Sequence, residues 1–315
     1  MPSVDVRIAS GALYVVVLGQ FLGCEKSAPS SPRASARGQA ARRQTACDAG
    51  EVKACGELGT MYEAGTEVEK DPVKAAALYQ RGCNGGDPAS CSGLGTVYLN
   101  GDGVPADPTR AVSLLTQACD RGDPTGCSNL GVMYARGTGV AQDMVKATAL
   151  YGRGCTAGDS WSCLNLGSMY EHGAGVVQDV AKAAALYEPV CAQGEMKGCY
   201  ALGVLYEQAS WDKRDPAKAA ALYQKACDGG ESAGCYNLGV MDLSGSGVAP
   251  DAVKAARMFD QACNAGDLAA CFNLSVLYDE GTGVVRDKQK AAALHRRACP
   301  GGVCPADTAN ARWQP

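Results

Sequence analysis

From Cys47 onward, apolar positions recur in two alternating patterns. In the first, a leucine is followed four residues later by a tyrosine, as in Leu94 and Tyr98, which places both on one helical face. In the second, an aspartate opens an alanine-rich run of the VKAAALYQRG type that continues to a cysteine. We label the two predicted helices A and B. Leu58, Leu94, Leu130, Leu166, Leu202, Leu238 and Leu274 hold the core position of helix A. A glycine follows in six of these seven places, which predicts close approach of a neighbouring helix. Asp71, Asp107, Asp143, Asp179, Asp215, Asp251 and Asp287 are N-cap candidates for helix B, with Pro72, Pro108 and Pro216 at its first position, where a missing N–H costs nothing. Gly50, Gly86, Gly122, Gly158, Gly194, Gly230 and Gly266 suit the left-handed conformation that ends helix B. GTGV and its variants end helix A.

All these positions share one period. Cys47, Cys83, Cys119, Cys155, Cys191, Cys227, Cys263 and Cys299 stand 36 residues apart, marking seven full repeats without an insertion. Each repeat is a helical hairpin that cannot bury its apolar stripe alone, so stacking is needed to make a continuous core.

The stretch CSNLGVMYARGTGVAQDMVKATALYGRGC, residues 127 to 155, resembles the Sel-one-like repeat, a relative of the tetratricopeptide repeat. The periodic cysteine pairs are similar to the secreted, cysteine-rich Hcp-type branch of that family. The resemblance covers residue 47 to about residue 300. It implies an all-α fold, a right-handed α/α superhelical solenoid of seven 36-residue helix-pair repeats, stapled by disulfides. The expected organisation is a signal peptide over 1–23, a lipidated cysteine and disordered tether over 24–46, repeats over 47–298, and a truncated last repeat and tail over 299–315.

The cysteines bear on compartment. Seventeen of them suit an oxidising environment better than a reducing cytosol, unless they bind metal. Residues 8–23, IASGALYVVVLGQFLG, form an apolar run of signal-peptide length. FLGC, ending at Cys24, resembles a bacterial lipoprotein signal, with Phe21 in place of the usual leucine. The alternative is an ordinary secretory signal with an incidental cysteine. Residues 25–46, rich in Ser, Ala, Pro and Arg, lack an apolar period and read as a disordered tether.

Setting Cys24 aside leaves sixteen cysteines, and two pairings compete. Pairing across a hairpin, as in Cys55 with Cys83, leaves Cys47 and Cys304 unpaired. Local pairing leaves none: Cys47–Cys55, Cys83–Cys91, Cys119–Cys127, Cys155–Cys163, Cys191–Cys199, Cys227–Cys235, Cys263–Cys271 and Cys299–Cys304. It is the favoured arrangement, because cysteines eight apart bracket the turn from helix B to the next helix A. No metal site is expected: structural zinc ligands are usually closely spaced and often include histidine, and this chain has only His172 and His295. No haem-attachment or other cofactor signature is present.

Charge excludes one class of partner. Residues 1–46 carry a net +4, while the rest of the chain carries −8. An acidic body argues against nucleic acid, whose phosphates call for clustered lysine and arginine. Membrane contact is expected only through the lipid.

Repeats of this type are expected to bind protein or peptide along the concave surface that helix A lines. The residue before the core leucine is Asn129, Asn165, Asn237 and Asn273 in four of seven repeats, and an amide both donates and accepts. The tetratricopeptide resemblance implies a peptide-holding role for these residues; the alternative is local bonding to a neighbouring helix. Tyr200, Tyr236 and Phe272 stand one position earlier and form an aromatic stripe, for a ligand or for packing between repeats. The fifth repeat replaces GTGV with ASWDKR, and Trp211, Lys213 and Arg214 have hot-spot composition in an expected exposed loop. Asp242 takes the usual tyrosine place in the sixth repeat, as a polar pocket or an exposed group.

The Hcp-type resemblance also raises β-lactam binding or hydrolysis. SWDK, from Ser210 to Lys213, matches one of three serine β-lactamase motifs, but the other two are missing and this match falls in a loop. No Ser-His-Asp system is evident. The expectation is therefore a lipid-tethered scaffold in the bacterial periplasm or at the cell surface, without chemistry of its own. A weak β-lactam or peptidoglycan-fragment binder or hydrolase and a purely structural envelope protein are the alternatives.

Overall fold

The computed structural model describes residues 32–208, 211–300 and 304. Cys24, the apolar run before it, Ser210 and residues 305–315 lie outside the described residues. Fifteen α-helices and no strand are found among the described residues. The chain divides into two compact units, one through Asp107 and one from Pro108. The first holds α1 (Pro32–Asp48), α2 (Val52–Ala64), α3 (Pro72–Asn84) and α4 (Pro88–Asn100). The second begins with α5 (Pro108–Asp120), α6 (Pro124–Arg136), α7 (Met144–Thr156), α8 (Ser160–His172), α9 (Val180–Ala192) and α10 (Met196–Glu207). It continues through α11 (Pro216–Asp228), α12 (Ser232–Ser244), α13 (Ala252–Asn264), α14 (Leu268–Glu280) and α15 (Lys288–Ala298). From α2 onward, even-numbered helices are A and odd-numbered helices are B.

Helix α1 is a correction to the sequence reading, because residues 32–46 were expected to be disordered. The segment is rich in alanine, arginine and glutamine, which favour helix even without an apolar stripe. Its end is anchored: Ala40 is buried, and Arg43 Nε lies 2.7 Å from Glu57 Oε2 on α2.

The predicted caps are in place. Asp71, Asp143, Asp179, Asp215, Asp251 and Asp287 each accept from the backbone N–H three residues on, at 2.9–3.0 Å. The A helices have caps as well, in Asp87, Asp123, Asp159 and Asp267. Each such cap contributes about 1 kcal/mol. The glycines that end helix B have φ between 88° and 99°, a region where a Cβ is strained.

The glycine after the core leucine serves a narrower purpose than close helix approach. A Cβ on Gly59, Gly131, Gly167, Gly203 or Gly239 would come within 3.0 Å of the ring of Tyr79, Tyr151, Tyr187, Tyr223 or Phe259, respectively. Each glycine thus admits an aromatic ring from helix B of its own repeat. Ser275 breaks the glycine pattern in the last repeat, where the helix B residue is His295.

Eight disulfides follow the local pairing, from Cys47–Cys55 to Cys263–Cys271 at a separation of eight residues, and Cys299–Cys304 at five. Each of the first seven joins the end of one helix to the first turn of the next. Successive repeats are also clipped by side chains. Arg81, Arg153, Lys225, Gln261 and Arg297 donate to the carbonyls of Cys47, Cys119, Cys191, Cys227 and Cys263, each 34 positions earlier. These carbonyls lie in the last turn of a helix, where hydrogen-bond acceptors lack intrahelical partners.

Candidate binding surface

The four asparagines lie on α6, α8, α12 and α14, all half-buried. Asn237 stands beside Tyr200 and Tyr223, where its amide opposes the rise that burial gives the two phenols. The aromatic stripe is likewise packed against helix B: Tyr200 on Tyr223 and Tyr236 on Phe259, both with ring centroids 5.9 Å apart, and Phe272 on His295 at 5.7 Å. Tyr200, Tyr236 and Phe272 keep part of their surface open. They are the upper layer of a two-layer aromatic stack.

Beside them lies a set of carboxylates that the sequence reading missed. Glu171 accepts from the hydroxyl of Tyr187 at 3.0 Å, and Glu207 from that of Tyr223 at 2.9 Å. Glu63 does the same for Tyr79 in the first compact unit, at 2.5 Å. Gln208 links two repeats by donating to Glu171 at 2.9 Å. Burial, and then the neighbouring carboxylate, push the phenols of Tyr187 and Tyr223 well above their ordinary value, so they remain neutral donors. The signal was present in the sequence: a glutamate stands sixteen positions before each of these tyrosines, whereas Phe259, without a hydroxyl, has Leu243 there.

Trp211 is a correction. It is 8% exposed and packs on Tyr206 with ring centroids 4.8 Å apart, in a cluster with Leu202 and Leu205. The repeat that loses both loop glycines packs this indole against α10 instead. Lys213 and Arg214 are exposed, as expected. Arg214 also serves the fold, its Nε donating to the carbonyl of Glu207 at 3.2 Å. Gln142, Gln178 and Arg286 make the same contact seven residues back. Asp242 is neither exposed nor part of an open pocket: it is buried against Lys254.

His295, Cys299 and Cys304 bring their nitrogen and sulfur atoms within 4.8 Å of one another. Both sulfurs are shared in a disulfide, which removes the thiolates a metal would need. The surface therefore offers amides, phenols, carboxylates and aromatic faces, a set suited to recognition.

Repeated hairpins of this design, joined by disulfides at the repeat spacing, define a disulfide-stapled α/α solenoid. The chain belongs to the Sel1 repeat family, which matches residues 52–87, 88–123, 124–159, 162–195, 197–231, 232–267 and 268–302. Among solved structures it is similar to a Sel1 repeat protein from Oxalobacter formigenes, with 28% identity and a TM-score of 0.68, over 89% of this chain and 81% of that one. It is also similar to a protective antigen present in uropathogenic Escherichia coli strains, which displays an SLR fold, with 28% identity and a TM-score of 0.59 over 82% of this chain. The chain spans 63% of that protein's length. No curated protein matches it. Sel1 repeat solenoids are commonly protein-interaction scaffolds. The many disulfides suggest an oxidising, extracytoplasmic environment. No helix among the described residues is long and apolar enough to cross a membrane.

Proposed function

We propose that the protein is an extracytoplasmic scaffold that binds a protein or peptide segment on the helix A face of its second compact unit. The observation that carries this reading is the row of half-buried amides, carboxylates and rings along α8 to α14. Asn165 and Asn273 offer amides to a peptide backbone, with Asn129 extending the row on α6. Asn237 stands beside Tyr200 in the same row. Tyr200, Tyr236 and Phe272 supply aromatic surface with little side-chain entropy to lose, and Lys213 and Arg214 form a charged rim. A lipid on Cys24 would hold the scaffold at a bacterial membrane.

The oxidised full chain, screened against a peptide array, is expected to select a saturable binder. Asn165→Ala and Asn273→Ala together should weaken that binder about tenfold, by loss of one to two hydrogen bonds. Unchanged affinity would reject this face, and the absence of any binder would favour a purely structural envelope role. β-Lactam turnover in the parent that is lost in Ser210→Ala would instead make the protein an enzyme.

A further inference from the structure

Six of the seven eight-residue disulfides are sealed. Every cysteine in Cys47–Cys55, Cys83–Cys91, Cys119–Cys127, Cys191–Cys199, Cys227–Cys235 and Cys263–Cys271 is at most 4% exposed. Cys155 and Cys163 form the exception, both only half-buried.

Two independent features produce the difference. The first is the residue 34 positions after the leading cysteine. In five repeats it is an Arg, Lys or Gln whose head bonds the cysteine carbonyl, and Lys225 Nζ also stands 3.7 Å from Cys191 Sγ. The corresponding partner of Cys155 is Pro189, exposed inside α9, with no side-chain donor and no reach. The donor that five other repeats hold at the cysteine carbonyl is therefore missing here. The second feature is α8 itself. Only Ser162 and Gly167 are fully buried on it, against five or six residues on α6, α10, α12 and α14. Even Leu166, at the core position, is half-buried, whereas Leu130, Leu202, Leu238 and Leu274 are sealed. A helix with less buried surface opens locally at lower cost.

We propose that Cys155–Cys163 is a thiol-exchange site, opened by external thiols while its six counterparts remain closed. A thiolate attacks one of the two sulfurs, the S–S bond breaks, and the other cysteine leaves as a thiolate that takes a proton from solvent. A second thiolate displaces the protein sulfur from the mixed disulfide. Two protein thiols and one oxidised disulfide of the external thiol result. Access for in-line attack favours exposed disulfides in such exchange. Opening this bond releases the staple between α7 and α8 and leaves two thiols in the middle of the second compact unit, ready for modification.

The test treats the oxidised full chain with glutathione for increasing times, blocks free thiols by alkylation, and maps the alkylated peptides. Cys155 and Cys163 should label at least about tenfold faster than the twelve cysteines of the six sealed bonds. Labelling at a common rate would overturn the proposal. Pro189→Arg supplies the arginine that three other repeats have at this place, here at an exposed position, and it should slow opening to within about twofold of Cys119–Cys127. A variant that opens as fast as the parent would remove Pro189 as a cause of the exchange.

Discussion

Lys254 Nζ lies 3.2 Å from Asp242 Oδ1, where five other repeats set the equivalent lysine against a tyrosine ring. Asp242 is 1% exposed, and its second oxygen has no partner. Burial raises its carboxyl above the ordinary 3.8, with Asp251 adding to the rise and Lys254 and Arg257 opposing it. A carboxyl whose folded value is raised contributes stability that is fully present below the unfolded value and lost as pH rises through the folded one. Asp242→Tyr, which restores the lysine–ring contact, should therefore stabilise the chain by about 1–2 kcal/mol at pH 7. The gain should shrink as pH falls toward 4, where the parent's carboxyl is increasingly protonated. Thermal unfolding of both chains at the two pH values measures this, and a gain that grows in acid would contradict the burial argument.

Gly203 and Gly152 are both helical glycines with opposite surroundings. A Cβ on Gly203 would stand 2.8 Å from the Tyr223 ring, while one on Gly152 meets nothing within 4 Å. Gly203→Ala should cost about 1–3 kcal/mol by forcing the ring aside. Gly152→Ala should stabilise by about 0.5–1 kcal/mol, since alanine loses less backbone entropy in a helix. Shifts of the same sign in denaturant midpoints would show that ring contact is not what selects glycine.

The period, the caps of helix B and the cysteine pairing were legible because each repeat restates them, so a chance match in one is tested by six others. Single departures were not legible in the same way. Trp211 looked like a hot spot from its basic neighbours, but composition does not report whether an indole faces solvent or Tyr206. Helix α1 was missed because Arg, Ala and Gln carry helix propensity without the apolar period used to find the other helices. Pro189 became informative only when the structure showed what Arg153 and Lys225 do at the same place. The asparagines lie on one helix series, yet the closeness of Asn237 to Tyr200 and Tyr223 depends on packing between repeats that spacing alone does not describe.

The Tyr223–Glu207 bond can be separated from the packing of the ring. Tyr223→Phe keeps the ring but leaves Glu207 without its 2.9 Å donor, and should cost about 1–2 kcal/mol. Glu207→Leu in the same chain should recover much of that loss, because the sixth repeat already pairs Phe259 with Leu243 at these positions. A double-mutant cycle read by chemical unfolding should give a coupling of about 1 kcal/mol. Additive losses would mean that the hydroxyl and carboxylate stabilise the fold independently.

Removing two different disulfides distinguishes loop entropy from burial. Cys119–Cys127 and Cys155–Cys163 both close a separation of eight residues. Chain entropy therefore assigns each about 2.5 kcal/mol through the unfolded state. Replacing both cysteines by alanine removes that contribution equally, so the difference between the variants must come from the folded side. Cys119 and Cys127 are sealed, with Arg153 bonded to the Cys119 carbonyl, and truncating them leaves a cavity. Cys155 and Cys163 are half-open to solvent, which can fill the space left behind. The Cys119/Cys127 variant should lose at least about 1 kcal/mol more than the Cys155/Cys163 variant. Amide exchange should show matching behaviour, with faster exchange spreading through α5, α6 and, by way of Arg153, α7 in the first and staying within α7 and α8 in the second. Equal losses in denaturant would show that loop closure alone sets the worth of these bonds and that Pro189 leaves no energetic mark on the repeat it belongs to.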